Sequence, residues 1–278
     1  MQKKFIPIIL MIVVIVIFYY YKNYYRYIST DNARIKMANI QVISETSGYI
    51  KELKIQDNQK VNKNDILLKI NDEQYEMEYK KNVALHGKAK KNYEFNKKEF
   101  NKQNKLYKQQ FISESEVNKI NTAYNLSKYD LEALQETMNL SKYKLDKTTI
   151  VAQNSGVIAN FNLKNGDFIN AGRPLFNIID TNDIWIETNF KEIDTKDIKI
   201  NQFAEVEVDA FPGTIWYAKV IGITPATGAE FALLPAQNTS SNWIKVVQRV
   251  NIKLAFIDKN NLDKLKSGLS AEVKIKVK

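Results

Sequence analysis

An internal repeat separated by a long insertion constrains this chain more than any other feature. Val42 to Asp72 can be laid over Ile150 to Asp180 at a constant offset of 108 residues. Ser47-Gly48-Tyr49-Ile50 then falls on Ser155-Gly156-Val157-Ile158, Val61 on Ile169, Leu67 on Leu175, Ile70 on Ile178 and Asp72 on Asp180. Each copy alternates short β-rich runs with turn residues, Asp57-Asn58 in the first and Asn165-Gly166-Asp167 and Ala171-Gly172 in the second. A copy of roughly 30 residues cannot bury a core alone, so the two halves are expected to pair into one β unit.

The intervening stretch, from about Glu73 to Lys147, has no proline and a single glycine, Gly87, and is rich in Lys, Glu, Asn and Gln. That composition predicts two long helices. In the second half Val117, Ile120, Tyr124, Ser127, Leu131, Leu134, Met138, Ser141 and Leu145 alternate three and four apart, a coiled-coil seam. The matching series in the first half is Tyr75, Tyr79, Asn82, His86, Ala89, Tyr93, Asn96, Phe100, Gln103 and Tyr107, with polar residues at several positions. Between them Ser113 is placed as an N-cap, with Glu116 three residues on and an Ile112 to Val117 staple, so the second helix restarts after a reversal near residues 108 to 113. The two arms must then run antiparallel.

After about Asn182 the pattern is β again. Ile184–Glu187, Ala204–Val208, Lys219–Ile223, Lys245–Val247 and Ala271–Ile275 read as strands of a small antiparallel barrel, with one long loop from about Pro225 to Trp243. At the other end Phe5 to Tyr21 carries no charge and is long enough to cross a hydrocarbon core. It ends in bulky tyrosines where a signal peptide would have small residues, which predicts an uncleaved anchor with a cytoplasmic N-terminus.

The net charge is +10, but the lysines alternate with Glu, Asp and Asn as on solvated helix faces, and no basic block with interleaved aromatics points to nucleic acid. The chain has no cysteine and one histidine, His86, which leaves no disulfide framework, thiolate nucleophile or multi-His metal site. Gly-x-Ser-x-Gly, phosphate-loop and His-Glu-x-x-His patterns are missing, so the reading is non-enzymatic.

Several runs carry a resemblance: Thr30-Asp31-Asn32-Ala33, Ser47 to Ile50, Leu175 to Ile178 leading into Ile184-Trp185-Ile186, Asn189-Phe190-Lys191-Glu192, Thr227 to Asn238 and Asn242 to Arg249. With them the chain resembles the membrane fusion proteins, or periplasmic adaptors, of the HlyD and EmrA type, closest to EmrA-like multidrug efflux adaptors. The resemblance implies a mainly β fold with a long α-helical coiled-coil hairpin: a split lipoyl-like β domain, an antiparallel β-barrel and a single N-terminal transmembrane helix. The expected segments are 1–29 (cytoplasmic N-terminus and anchor), 30–72 with 149–181 (lipoyl-like unit), 73–148 (hairpin), and 182–278 (barrel and membrane-proximal β region).

The resemblance further implies an adaptor of a tripartite efflux system in the inner membrane, single-pass, with its bulk in the periplasm and assembled as a ring of copies. Its partners would be a major-facilitator-type transporter and a TolC-like outer-membrane channel, the exported cargo drugs or toxic compounds. Lys102, Leu106 and Ser113 stand at the spacing by which hairpin tips of such adaptors face the channel, with Lys in place of the usual Arg. Phe231, Leu233, Leu234 and Trp243 in the long loop are candidates for contact with transporter or substrate. No cofactor is expected, because the helices interrupt the turn where a carrier domain presents its modified lysine. The alternatives are an adaptor of an ABC-type (type I) peptide or protein secretion system, or a structural envelope scaffold.

Overall fold

The computed structural model describes residues 11, 13–18, 27–228, 230, 246–258 and 261–277. It divides into two units, one of Met1–Ala38 with Asp180–Lys278 and one of Asn39–Ile179. The predicted anchor and the four loop residues Phe231, Leu233, Leu234 and Trp243 fall wholly or mostly outside the described residues. Among the described residues, 11 and 13–18 are helical and exposed, and no helix is long and apolar enough to cross a membrane.

In the first unit six strands close on themselves. They are β1 (Tyr27–Ile43), β8 (Pro174–Lys191), β9 (Phe203–Val208), β10 (Ile215–Thr227), β11 (Arg249–Phe256) and β12 (Ser270–Lys276). The order is β1-β12-β9-β10-β11-β8, and an additional β1–β8 pairing completes the ring. Alternation along the strands gives the ring an inner and an outer face. Ala204, Val206 and Val208 of β9, and Ala271, Val273 and Ile275 of β12, point inward and are fully or nearly fully buried, while Glu205, Glu207, Glu272 and Lys274 face out. Thr188 sits in this core because its hydroxyl donates to the Ile252 carbonyl, 2.9 Å away.

Two sequence expectations shift here. The strand placed at Lys245–Val247 lies further along, at Arg249–Phe256, where Ile252 and Leu254 supply the inward face; Val246 and Val247 are exposed. Residues 30–38, grouped by sequence with the split β unit, instead begin the barrel: Ala33, Ile35 and Met37 are buried, and Tyr27 to Arg34 pair with β12.

In the second unit the two halves of the repeat exchange strands. They comprise β2 (Gly48–Leu53), β3 (Lys60–Val61) and β4 (Ile66–Ile70), and β5 (Thr149–Val151), β6 (Gly156–Ala159) and β7 (Phe168–Ile169) followed by the start of β8. Strand β2 pairs with β7, β3 with β6 and β4 with β5, so every strand of the first half is hydrogen-bonded to a strand of the second. The 108-residue offset also appears in individual hydrogen bonds. Ile50 N–H donates to the Asp167 carbonyl (2.8 Å) as Ile158 N–H donates to that of Gln59 (2.9 Å). The Ser47 hydroxyl accepts from Ala171 N–H at 2.9 Å as that of Ser155 accepts from Lys63 N–H at 3.0 Å. Ile50, Val61, Leu67 and Ile70 share one core with Ile158, Ile169, Phe176 and Ile178.

Candidate functional site: the helix pair, its tip and its base

Two long helices occupy the interval between the half-repeats, α1 (Glu73–Lys108) and α2 (Glu114–Asp146). At 1.5 Å per residue their 36 and 33 residues extend about 54 and 50 Å. They lie side by side, and their fully buried positions all belong to the expected seam: Asn82 and Ala89 on α1, Val117, Ser127 and Ser141 on α2. Tyr107 departs from it and is exposed. At mid-length Tyr124 is stacked between Phe100 and Tyr93, with ring centroids 5.3 and 5.6 Å apart. The polar seam residues bring their own partners: the Ser127 and Ser141 hydroxyls donate to the Tyr124 and Met138 carbonyls at 2.7 and 2.8 Å, one turn back.

The tip is a tight reversal. Gln110 takes a positive φ of 63°, Phe111 N–H returns to the Leu106 carbonyl at 3.0 Å, and the Ser113 hydroxyl caps α2 by accepting from Glu116 N–H at 3.3 Å. The three residues singled out by sequence all lie in these last turns. Lys102 and Leu106 are four apart and share a face of α1, Lys102 exposed and Leu106 half-buried, while Ser113 is exposed at the start of α2. Phe111, which sequence reasoning did not single out, is an exposed large aromatic within the turn, 73% accessible. A large aromatic set between two helices, where capping needs none, was the available signal.

At the base each helix is fastened to the β unit. Glu45, in the connection between β1 and β2, accepts hydrogen bonds from Tyr143 Oη and Lys147 Nζ. The lysine and then the phenol hold the Glu45 carboxyl below its ordinary range, and Glu45 in turn raises Lys147. Beneath α1, Lys51 Nζ lies 2.9 Å from Asp72, lowering that carboxyl, and Tyr75 Oη donates to the Ser47 carbonyl at 2.8 Å. A cavity of about 90 Å³ adjoins the Glu45 clamp, far below the roughly 300 Å³ at which drug-sized pockets begin. Among the described residues no cluster of His, Asp or Glu is arranged to hold a metal ion.

Comparison with known proteins gives the same outline. Residues 38–181 match the family described as "RND MFP, barrel-sandwich hybrid domain", MFP denoting membrane fusion protein. The fatty acid resistance protein FarA of Neisseria gonorrhoeae is 37% identical over 134 residues, 47% of this chain and 34% of that protein. The multidrug export protein EmrA of Escherichia coli (strain K12) is 33% identical over 134 residues, again 47% and 34%. The matched part of this chain thus spans about a third of the length of either. In fold it is similar to the membrane fusion protein Spr0693 from Streptococcus pneumoniae R6, with a TM-score of 0.67 at 13% identity over 91% of this chain and 99% of that one.

Proposed function

Because the chain belongs to the membrane fusion proteins that carry the RND-type barrel-sandwich hybrid domain, we propose that it is the adaptor subunit of a tripartite efflux system. It joins an inner-membrane transporter to an outer-membrane channel for the export of drugs or toxic compounds. The observation that carries this reading is the placement of the helices. They replace the β4–β5 turn of a two-fold β unit, are clamped at their base by Glu45–Lys147 and Lys51–Asp72, and leave a capped, exposed tip about 50 Å out along the helices. Such a part transmits a connection and offers no reaction centre, so the adaptor moves no substrate by its own chemistry.

The transporter is of the major facilitator class. This is supported by the EmrA-like run from Thr227 to Arg249. The apolar run Phe5 to Tyr21 anchors the chain in the inner membrane with the remainder in the periplasm, and copies assemble as a ring. Lys102, Leu106 and Ser113 meet the channel at the tip, Lys102 through its charge and Leu106 through its apolar face. Phe231, Leu233, Leu234 and Trp243 face the transporter or its substrate.

Photo-cross-linking tests the tip. A benzoyl-phenylalanine at 106 or 113 in cells expressing the full chain should capture an outer-membrane protein, whereas one at exposed Tyr129, on the flank of α2, should not. Equal capture at all three positions, or none at the tip, would remove the channel contact.

A further inference from the structure

One end of the barrel gathers features that the adaptor reading leaves unused. Strand β1 begins there with Tyr27 opposite Lys276, and Ile275 lies opposite Ala204, so the start of β9 shares that end. The connection from β8 to β9 runs across it as a short 3-10 helix, Glu192–Asp197, and a turn fixed by Gln202. The Gln202 side chain accepts from Lys199 N–H at 2.8 Å and donates to the Asp197 carbonyl at 3.1 Å, and Asn201 N–H reaches the Val220 carbonyl at 2.9 Å. This held rim presents Ile193, Ile200 and Phe203 to solvent, 65, 57 and 60% exposed. Ile198 between them is buried and anchors the turn.

The charges of the rim are unbalanced. Lys191, Lys196, Lys199, Lys219, Arg249 and Lys276 stand at this end against Glu192, Asp194, Asp197 and Glu230, and among the described residues none of the six cations is in an ion pair. An open groove of about 600 Å³ is lined by Lys196, Lys199, Lys276, Ile200 and Phe203, with Asp197. Only five residues separate the apolar run ending at Tyr21 from Tyr27, and six residue steps span at most about 20 Å.

We propose that this rim docks on an anionic bilayer surface, Lys196, Lys199 and Lys276 meeting acidic phospholipid headgroups while Ile200 and Phe203 enter the interface. This rests on the membrane anchor of the proposed function, because the tether holds the rim within headgroup reach. Basic side chains alternating with exposed Ile and Phe on a rigid edge are the pattern by which a surface adheres to acidic lipid. Docking would stop the barrel from swinging on its tether and set the direction in which the chain leaves the membrane.

The absence of cysteine makes a clean test possible. The full chain carrying Ile200→Cys, Thr214→Cys or Val16→Cys is labelled with bimane. Each is reconstituted in vesicles of phosphatidylcholine, alone or mixed with phosphatidylglycerol, that contain nitroxide lipid. The label at 200 should be quenched several-fold more in the anionic vesicles, and the label at 214, in the turn at the opposite end of the barrel, in neither. Charge reversal by Lys196→Glu, Lys199→Glu and Lys276→Glu should abolish the quenching at 200, because each lysine at an anionic surface contributes roughly fivefold. An unquenched label at 200 beside a quenched one at 16 overturns the docking and leaves the anchor standing, while an unquenched label at 16 sinks both. Equal quenching in the two lipids overturns the charge argument. Shielding of the 200 label only in the presence of a co-purifying membrane protein assigns the rim to a protein partner instead.

Discussion

A Cβ added at Gly156 would stand 2.4 Å from the Ile179 carbonyl oxygen and 2.7 Å from Ile178 Cγ2, so a backbone would have to move. At its repeat mate, Gly48, the nearest atom is Ile70 Cγ2 at 2.6 Å, on a β-branched side chain buried in the core, and φ is +157°. Gly156→Ala and Gly48→Ala are therefore each expected to cost about 1–3 kcal/mol in denaturant unfolding of the full chain. The Glu45 clamp has a defined pH window. Its depressed carboxyl contributes stability that is complete above the ordinary value of 4.5 and is lost as pH falls through the lower folded-state value; Lys147, raised above 10.5, contributes below that value and loses its effect at higher pH. Both groups are largely solvated, so Glu45→Gln should lower the melting temperature only slightly near neutrality and not at all in acid. The Ser-Gly-x-Ile pairs were legible in sequence because close packing against β4 and β8 leaves no room for a side chain; the Glu45–Tyr143–Lys147 contact was not, since its members are about 100 residues apart and carry no periodic signal.

Among the elements, the helix seam was the most readable, down to buried Asn82, Ser127 and Ser141, because a three-and-four spacing survives polar substitution. What spacing did not convey was that Tyr124 fills the middle of the pair between Tyr93 and Phe100. Tyr124→Ala removes both stacks and is expected to destabilise the helices by roughly 1–3 kcal/mol, seen as earlier loss of helical circular dichroism on heating, while Tyr129→Ala on the exposed flank should change little. The barrel strands were read less well. Val250, Ile252, Leu254 and Phe256 alternate clearly, yet the neighbouring Val246-Val247 pair drew the assignment upstream. Residues 30–38 have the same alternation as any half-buried strand, and only their long-range pairing with β12 decides to which unit they belong.

For the molecule as a whole, the repeat offset disclosed that the helices are an insertion, and the pairing of β4 with β5 explains why the β unit can hold them. Lys69 lies opposite Thr149, and Ile70 N–H donates to the Thr148 carbonyl at 2.8 Å, as if the strands were joined by a hairpin turn. Replacing residues 71–147 of the full chain by Asn-Gly should therefore leave a cooperatively melting β protein that has lost its helical signal. The six-stranded closure through β1 and β8 could not be read from sequence, because pairing between strands about 150 residues apart leaves no local trace. The central claim is that the helix tip couples export while the β domains carry it. Its most direct test is dye accumulation in cells lacking the native copy and complemented with either the full chain or a chain lacking residues 100 to 120. The account predicts restored efflux with the first and none with the second, even though both variants are inserted and show the same β-unit melting. Efflux retained without the tip would contradict it.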